Sequence, residues 1–312
     1  MGGLVTIFGC GGFLGGYVAE ETLGAGWRVR AAERDPSNAA HIRPLGNLGQ
    51  TQFVSADILR PDSVARAVAG SDAVVNLVGT FGNAMQAVHV DGARNVAKAA
   101  AAAGAKQLIH ISAIGADPAS PARYGQTKAA GEEAVRDAFP GATIIRPSVV
   151  FGPEDEFINR FASMIRMFPV VPVVGAEAKF QPVFAGDVGA AVAAILDDPA
   201  ALAGKTYELG GPDILTMREI FEWIAREIGR DRPFVDLPES VAKLIAMLPA
   251  GPIDDDQVKM LRRDTVVAED AEGFDALGIR PASLKVVAPR YLTPYRNHGR
   301  FGRRIWICPW RT

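Results

Sequence analysis

The chain has 312 residues, 48% hydrophobic and 22% charged, which is ordinary globular usage and excludes a collagen, a coiled coil and a disordered chain. No run reaches the ~18 to 20 apolar residues of a spanning helix. The net charge of −2 hides an asymmetry, because eight of the 33 basic residues follow Asp275 and no acidic residue does, which leaves an acidic body and a basic tail suited to an anionic or acidic neighbour.

In chain order, short apolar runs at Leu4–Phe8, Arg28–Ala32, Gln52–Ser55, Ala73–Leu77, Gln107–Ile111 and Thr143–Arg146 read as strands. They lack strict alternation, as strands buried on both faces do. Helical runs lie between them at Phe13–Leu23, Pro61–Ala69, Met85–Ala103 and Arg123–Ala138. Repeated β-α-β order predicts an α/β fold, a Rossmann-type doubly wound parallel sheet with right-handed crossovers. Past residue 150 the rhythm loosens. Phe157–Phe168, Ala185–Leu196 and Met217–Ile228 read as helices, and Gln181–Phe184 and Thr206–Leu209 as short strands. The expected organisation is a dinucleotide-binding domain over 1–150, a smaller C-terminal α/β lobe over 151–285 packed on it, and a basic aromatic tail over 286–312.

The first chemical signal is Gly9-Cys10-Gly11-Gly12-Phe13-Leu14-Gly15, between the first strand and first helix. Gly9, Gly12 and Gly15 allow a tight turn, close approach of backbone to a pyrophosphate, and close helix–sheet packing, with the helix N-terminus facing the phosphates. At the end of the second strand stand Glu33 and Arg34. An acidic residue there bonds the ribose 2′-hydroxyl of NAD, whereas Arg takes the 2′-phosphate of NADP, so spacing leaves both open. Asp57, after the third strand, is placed either to meet the adenine or to cap a turn.

Four segments carry a resemblance: the glycine loop, Arg34-Asp35-Pro36, Asn76-Leu77-Val78-Gly79 and Tyr124-Gly125-Gln126-Thr127-Lys128 are similar to an atypical, extended-type short-chain dehydrogenase/reductase. His41 to Gln50, Tyr124 to Glu132, Val135 to Pro140 and Phe151 to Ser163 narrow this. There the chain resembles the NADPH-binding accessory subunits of respiratory complex I, NADH:ubiquinone oxidoreductase, in their bacterial version. The resemblance implies bound NADPH, no established turnover, other complex I subunits as partners and peripheral attachment to a membrane surface. It implies the cytoplasmic face of a bacterial inner membrane, or the matrix side in mitochondria. Met1 leads almost directly into the first strand, with no secretion or transit pattern before it, which favours the bacterial reading. Cofactor contacts are expected from Gly9, Gly12, Phe13, Leu14, Gly15, Arg34, Asp57, Ile58, Val78, Gly79, Tyr124, Lys128, Pro147 and Val150.

Tyr124 and Lys128 share a helix face at i, i+4, as the proton-transfer pair of active short-chain dehydrogenases does. The hydroxyl that such enzymes use aligns with Ala113, leaving Ser112 one step early and on the other face of its strand. Tyr124, Lys128 and Ser112 are therefore vestigial candidates, with the first two surviving as ribose ligands. The alternative is a soluble NADP-dependent reductase or epimerase acting on a small molecule. His110 reads as a core histidine, and neither His41 nor His89 has metal-ligand spacing, so no metal is assigned. Two cysteines, Cys10 and Cys308, fit a reducing compartment. Tyr291, Tyr295, Phe301, Trp306 and Trp310 interleave with arginines in the tail, suiting a lipid boundary or a partner groove. The acidic body argues against nucleic acid. Glu239 to Leu248 is amphipathic and reads as core-packed rather than membrane-lying.

Overall fold

The computed structural model describes residues 2–238, 255–297 and 299. Through the first half run β1 (Leu4–Phe8), α1 (Phe13–Gly24), β2 (Arg28–Glu33), β3 (Thr51–Ser55), α2 (Pro61–Val68), β4 (Ala73–Asn76), α3 (Ala93–Ala102), β5 (Gln107–Ile111), α4 (Arg123–Ala138) and β6 (Thr143–Pro147). The second half adds β7 (Val150–Phe151), α5 (Phe157–Met167), β8 (Val171–Val174), β9 (Lys179–Phe180), β10 (Val183–Phe184), α6 (Ala185–Asp197), α7 (Pro199–Leu202) and β11 (Thr206–Leu209). After these come β12 (Leu215–Thr216), α8 (Met217–Glu227), β13 (Phe234–Leu237), α9 (Asp255–Met260) and α10 (Leu284–Val287).

Seven parallel strands form the main sheet in the order β3-β2-β1-β4-β5-β6-β11. This is the doubly wound arrangement the β-α-β rhythm predicts. Strand order reverses between β1 and β4, which opens a crevice at their carboxyl ends. Alternate residues of the central strands feed two helical layers. Val5, Ile7, Val75, Ile109 and Ile145 pack with α1 and α6, while Phe8, Val74, Leu108 and Ile144 pack with α2 and α3. Each such buried side chain contributes about 1.5–3 kcal/mol. β11 and α6 come from beyond residue 150, so the second half of the chain completes the sheet as well as building the lobe.

The lobe has its own core, with Phe151, Ile158, Ile165, Val171, Phe180, Ile220, Phe221 and Ile224 buried together. Leu284, Ala288 and Leu292 join it, all fully buried. Folded structure therefore continues past residue 285, into the stretch expected to begin the tail. The Tyr291 hydroxyl donates to Asp155 Oδ2 at 2.9 Å and the Tyr295 hydroxyl to Asn159 Oδ1 at 3.0 Å. Lys285 pairs with Asp213 at 3.7 Å, and Arg296 pairs with Glu227. These late cations thus find acidic partners within the chain. Phe301, Trp306, Trp310, the arginines from Arg300 on, and the Glu239 to Leu248 segment lie outside the described residues.

Two stretches differ from the sequence reading. Pro36–Leu45 forms a 3-10 helix, where the pattern gave none; Asp35 Oδ1 caps it by accepting from Ser37 N at 3.0 Å, and buried Ile42 anchors it. The expected single helix Met85–Ala103 is interrupted. It starts at Met85, after a 3-10 turn at Gly82–Ala84, runs as π-helix over Ala87–Gly92, and regular α-helix resumes at Ala93. Gly92 ends the π segment against Ile58, whose Cδ1 would lie 2.5 Å from any Cβ there.

Candidate functional site

The glycine loop sits at the switch point. Gly9 has φ +80°, which favours glycine, and a Cβ on Gly15 would lie 2.3 Å from Gly9 O, so the first turn of α1 can approach the loop only with glycine there. Gly12 caps α1 without a side chain. The N–H groups of the first turn, at Phe13, Leu14 and Gly15, are left with the positive end of the helix dipole and no side-chain cap. That is an anion cradle at the end of a 12-residue helix in the position where dinucleotide pyrophosphates bind. The Phe13 ring turns toward Tyr17, at 5.8 Å edge-on, and lies against Gly152; Leu14 packs on the core. The Tyr17 hydroxyl donates to Glu154 Oε2 at 2.9 Å, so the Phe151–Asn159 segment is seated on α1.

At the end of β2 the two adjacent candidates part. Glu33 Oε1 accepts from Gly11 N at 2.5 Å. Arg34 is exposed, and its guanidinium has no hydrogen-bond or ion-pair partner among the described residues. Asp57 Oδ1 accepts from Leu59 N at 3.0 Å, the turn-capping alternative. Ile58 is buried, with its carbonyl accepting from Asn95 Nδ2 at 2.9 Å. Val78 lies over Gly9, its Cγ2 3.3 Å from where a Cβ would stand.

The other end of the crevice gathers Tyr124, Lys128 and Gly79. Lys128 is 5% exposed, and its Nζ donates to Ile111 O at 3.3 Å. Burial brings its pKa down to about 8. The Tyr124 ring stacks on Phe81 at 4.8 Å and meets His89 edge-on at 5.5 Å. Burial pushes the Tyr124 phenol up to about 12. Ser112 is buried, and its Oγ has no hydrogen-bond partner among the described residues. His89 accepts from Thr80 N at 3.1 Å through Nε2 and meets Thr127 Oγ1 at 2.9 Å through Nδ1. Burial first, and Lys128 second, hold both His89 and His110 down to about 3, so both are neutral. His110 Nδ1 meets Asn76 Nδ2 at 3.2 Å and is a core histidine, as the sequence suggested. Pro147 is buried at the end of β6, and Val150 begins β7 beside Val183. Cys10 is buried, and its thiol is pushed up by burial and by Glu33.

Three contributors were not singled out in the sequence as site residues. Phe81 and His89 complete the Tyr124 surroundings. Asp256, on α9, reaches Arg123 N at 2.6 Å and Tyr124 N at 2.9 Å. The acidic run Asp254-Asp255-Asp256 signals a helix start, but not which helix its carboxylates cap. Among the described residues no His, Cys, Asp and Glu cluster could hold a metal, and no helix is long and apolar enough to cross a membrane.

Comparison with known proteins adds an independent line. The NmrA-like family matches residues 1–286. NADH dehydrogenase (ubiquinone) 1 alpha subcomplex subunit 9, mitochondrial, of Arabidopsis thaliana is 34% identical over 97% of this chain and 80% of its own length. The mitochondrial NADH-ubiquinone oxidoreductase 40 kDa subunit of Neurospora crassa is 34% identical over 95% of this chain and 80% of its own. Among solved structures, an NADPH-dependent quinone oxidoreductase from Escherichia coli complexed with NADPH shares the fold, with a TM-score of 0.75 at 21% identity over 92% of this chain and 99% of that one.

Proposed function

The chain belongs to the NmrA-like family and to the family of complex I alpha subcomplex subunit 9 proteins, and we propose that it is an accessory subunit of respiratory complex I that holds NADPH for stability rather than turnover. The residues fit such a cofactor. The uncapped first turn of α1 suits the pyrophosphate, and Tyr124 with Lys128 suits the nicotinamide ribose. Glu33 is already engaged by the Gly11 N–H, which leaves the Arg34 guanidinium, without a partner among the described residues, for a 2′-phosphate. When bound, NADPH supplies folding free energy by mass action and a transferable hydride.

One observation carries the non-catalytic part: among the described residues no hydrogen bond joins the Ser112, Tyr124 and Lys128 side chains into a proton-transfer set, and the Lys128 ammonium is bonded instead to the main-chain carbonyl of Ile111. Peripheral attachment on the matrix side, or on the cytoplasmic face in a bacterium, follows from the same reading.

The test is a tagged pull-down from gently detergent-solubilised membranes, assayed for NADH:quinone activity and for NADPH released on denaturation. Co-purifying activity with about one NADPH per chain is expected. A lone soluble protein that oxidises NADPH with a small carbonyl substrate would replace this reading with the reductase or epimerase alternative.

A further inference from the structure

The helix that carries Tyr124 and Lys128 does not cap itself. Its N-cap is Ala122, which offers no side chain. The cap comes from 132 residues further along, where the Asp256 carboxylate takes the N–H groups of both Arg123 and Tyr124. The stretch from Asp256 onward is then fastened across the carboxyl ends of β5 and β6. Arg263 pairs with Asp117 at 2.6 Å, after β5. Ser148 Oγ donates to Thr265 O at 2.9 Å, after β6, and Asp264 Oδ1 accepts from Lys179 N at 2.9 Å, on β9. Between this strap and the Tyr124 end of α4 lies a cavity of about 40 Å³, lined by Ile114, Ser120, Tyr124, Met260, Arg263 and Thr265. That holds a water or so, whereas small-molecule pockets run to roughly 300 Å³ or more.

Resting on the cofactor reading above, we propose that Asp256 is a positioning residue of the dinucleotide site. Through the start of α4 it sets Tyr124 and Lys128, and the strap 255–267 closes the nicotinamide end, so that a bound dinucleotide leaves only when the strap lifts. Two consequences separate this role from ordinary structural support. The strap governs how fast the dinucleotide exchanges, and it does so from a point that touches neither the phosphates nor the adenosine.

The experiment uses the full chain loaded with NADPH. Release is followed by the loss of bound-nicotinamide fluorescence after addition of excess NADP⁺, for the wild type, Asp256→Ala, Asp256→Asn and Arg263→Ala. Thermal melting of the ligand-free proteins checks their fold. Asp256→Ala is expected to release NADPH about tenfold faster, the equilibrium weight of one lost charged cap. Asp256→Asn, which keeps an acceptor oxygen, should restore part of the difference, and Arg263→Ala should speed release with no change at the helix cap. Release at the wild-type rate in folded Asp256→Ala and Arg263→Ala overturns the strap while leaving the cofactor reading in place. A wild-type chain that takes up no dinucleotide overturns both.

Discussion

The two ends of the crevice are built in opposite ways. The phosphate end is made within the first 35 residues, by β1, a glycine loop, α1 and the end of β2, and its groups stand open: N–H donors with no side-chain cap and an arginine with no partner among the described residues. The nicotinamide end is assembled from β4, the π-helical turn, β5, α4, β6 and a strap more than 100 residues later, and its groups are already engaged. One end is prepared to receive an anion. The other is packed, with a lysine, two neutral histidines and a tyrosine in one another's company. On the function proposed above, this division suits a site that holds a dinucleotide rather than turning it over.

The sharpest way to break the contrast is to loosen the packed end at its root. Glu132 is 1% exposed and takes a two-pronged bond from Arg146 at 2.8 Å, with Arg136 at 3.2 Å. This pairing ties α4 to β6, and through Glu208 to β11. Glu132→Ala removes the buried carboxylate that both arginines share and leaves half-buried Arg146 with Glu208 alone, and denaturant melts should show a loss of about 3 kcal/mol.

Next comes Lys128. Its folded pKa is lowered to about 8 from 10.5, so between these values the unfolded chain keeps a proton that the folded chain has released. Stability of the ligand-free protein therefore rises with pH across that window, by about 2–3 kcal/mol from this residue. Melting curves of wild type against Lys128→Met should differ in slope there, and parallel curves would mean that the lysine is better solvated than its setting indicates.

His89 and His110 act at the acid side. Both are neutral in folded and unfolded chains above pH 6.5, and below it only the unfolded chain takes up their protons. Stability falls as pH drops from about 6.5 towards 3, at about 1.4 kcal/mol per pH unit for each histidine. His89→Asn should remove one proton's worth of that slope.

The smallest effect on stability belongs to the open end. Arg34→Ala touches no described partner and should change the stability of the ligand-free chain by no more than about 0.5 kcal/mol. It should nonetheless lower affinity for NADPH about tenfold or more relative to NADH, because alanine offers the 2′-phosphate neither charge nor donors. Calorimetric titration of both dinucleotides would check this. An unchanged preference would pass the choice of cofactor to Glu33.

The same contrast explains what could be read in advance. β1, β2, β4, β5 and α1 follow from local pattern, because parallel strands buried on both faces and an Ala- or Gly-rich helix leave continuous marks in sequence. The glycine loop is also local, so Gly9, Gly12 and Gly15 are found where expected. The 3-10 helix at Pro36–Leu45 has no helical period and depends on the Asp35 cap and on burial of Ile42. The π-helix leaves no mark in the apolar pattern, and the close approach of Ile58 to Gly92 within it joins parts distant in sequence. Position left Asp57 open to an adenine contact or a turn cap, and its Oδ1 caps its own turn. Tyr291 and Tyr295 looked like tail aromatics, but Asp155 and Asn159 draw them into the lobe. Asp256 serves a helix that is remote in sequence. Most of these are pairings between distant parts of the chain, which periodicity does not record.

The order of synthesis gives the strap a further meaning. A chain emerges from the ribosome amino end first, at about 5–20 residues per second. β1 through β6 and the glycine loop are therefore made before the strap exists, and the roughly 110 residues between them take on the order of 5 to 22 s. Within that interval α6 is made and packs on α1 beneath the phosphate cradle, while the strap has yet to reach the nicotinamide end. On the strap proposal, a dinucleotide captured then would be enclosed as residues 255–267 dock, so the cofactor can become part of the molecule while the molecule is still being made.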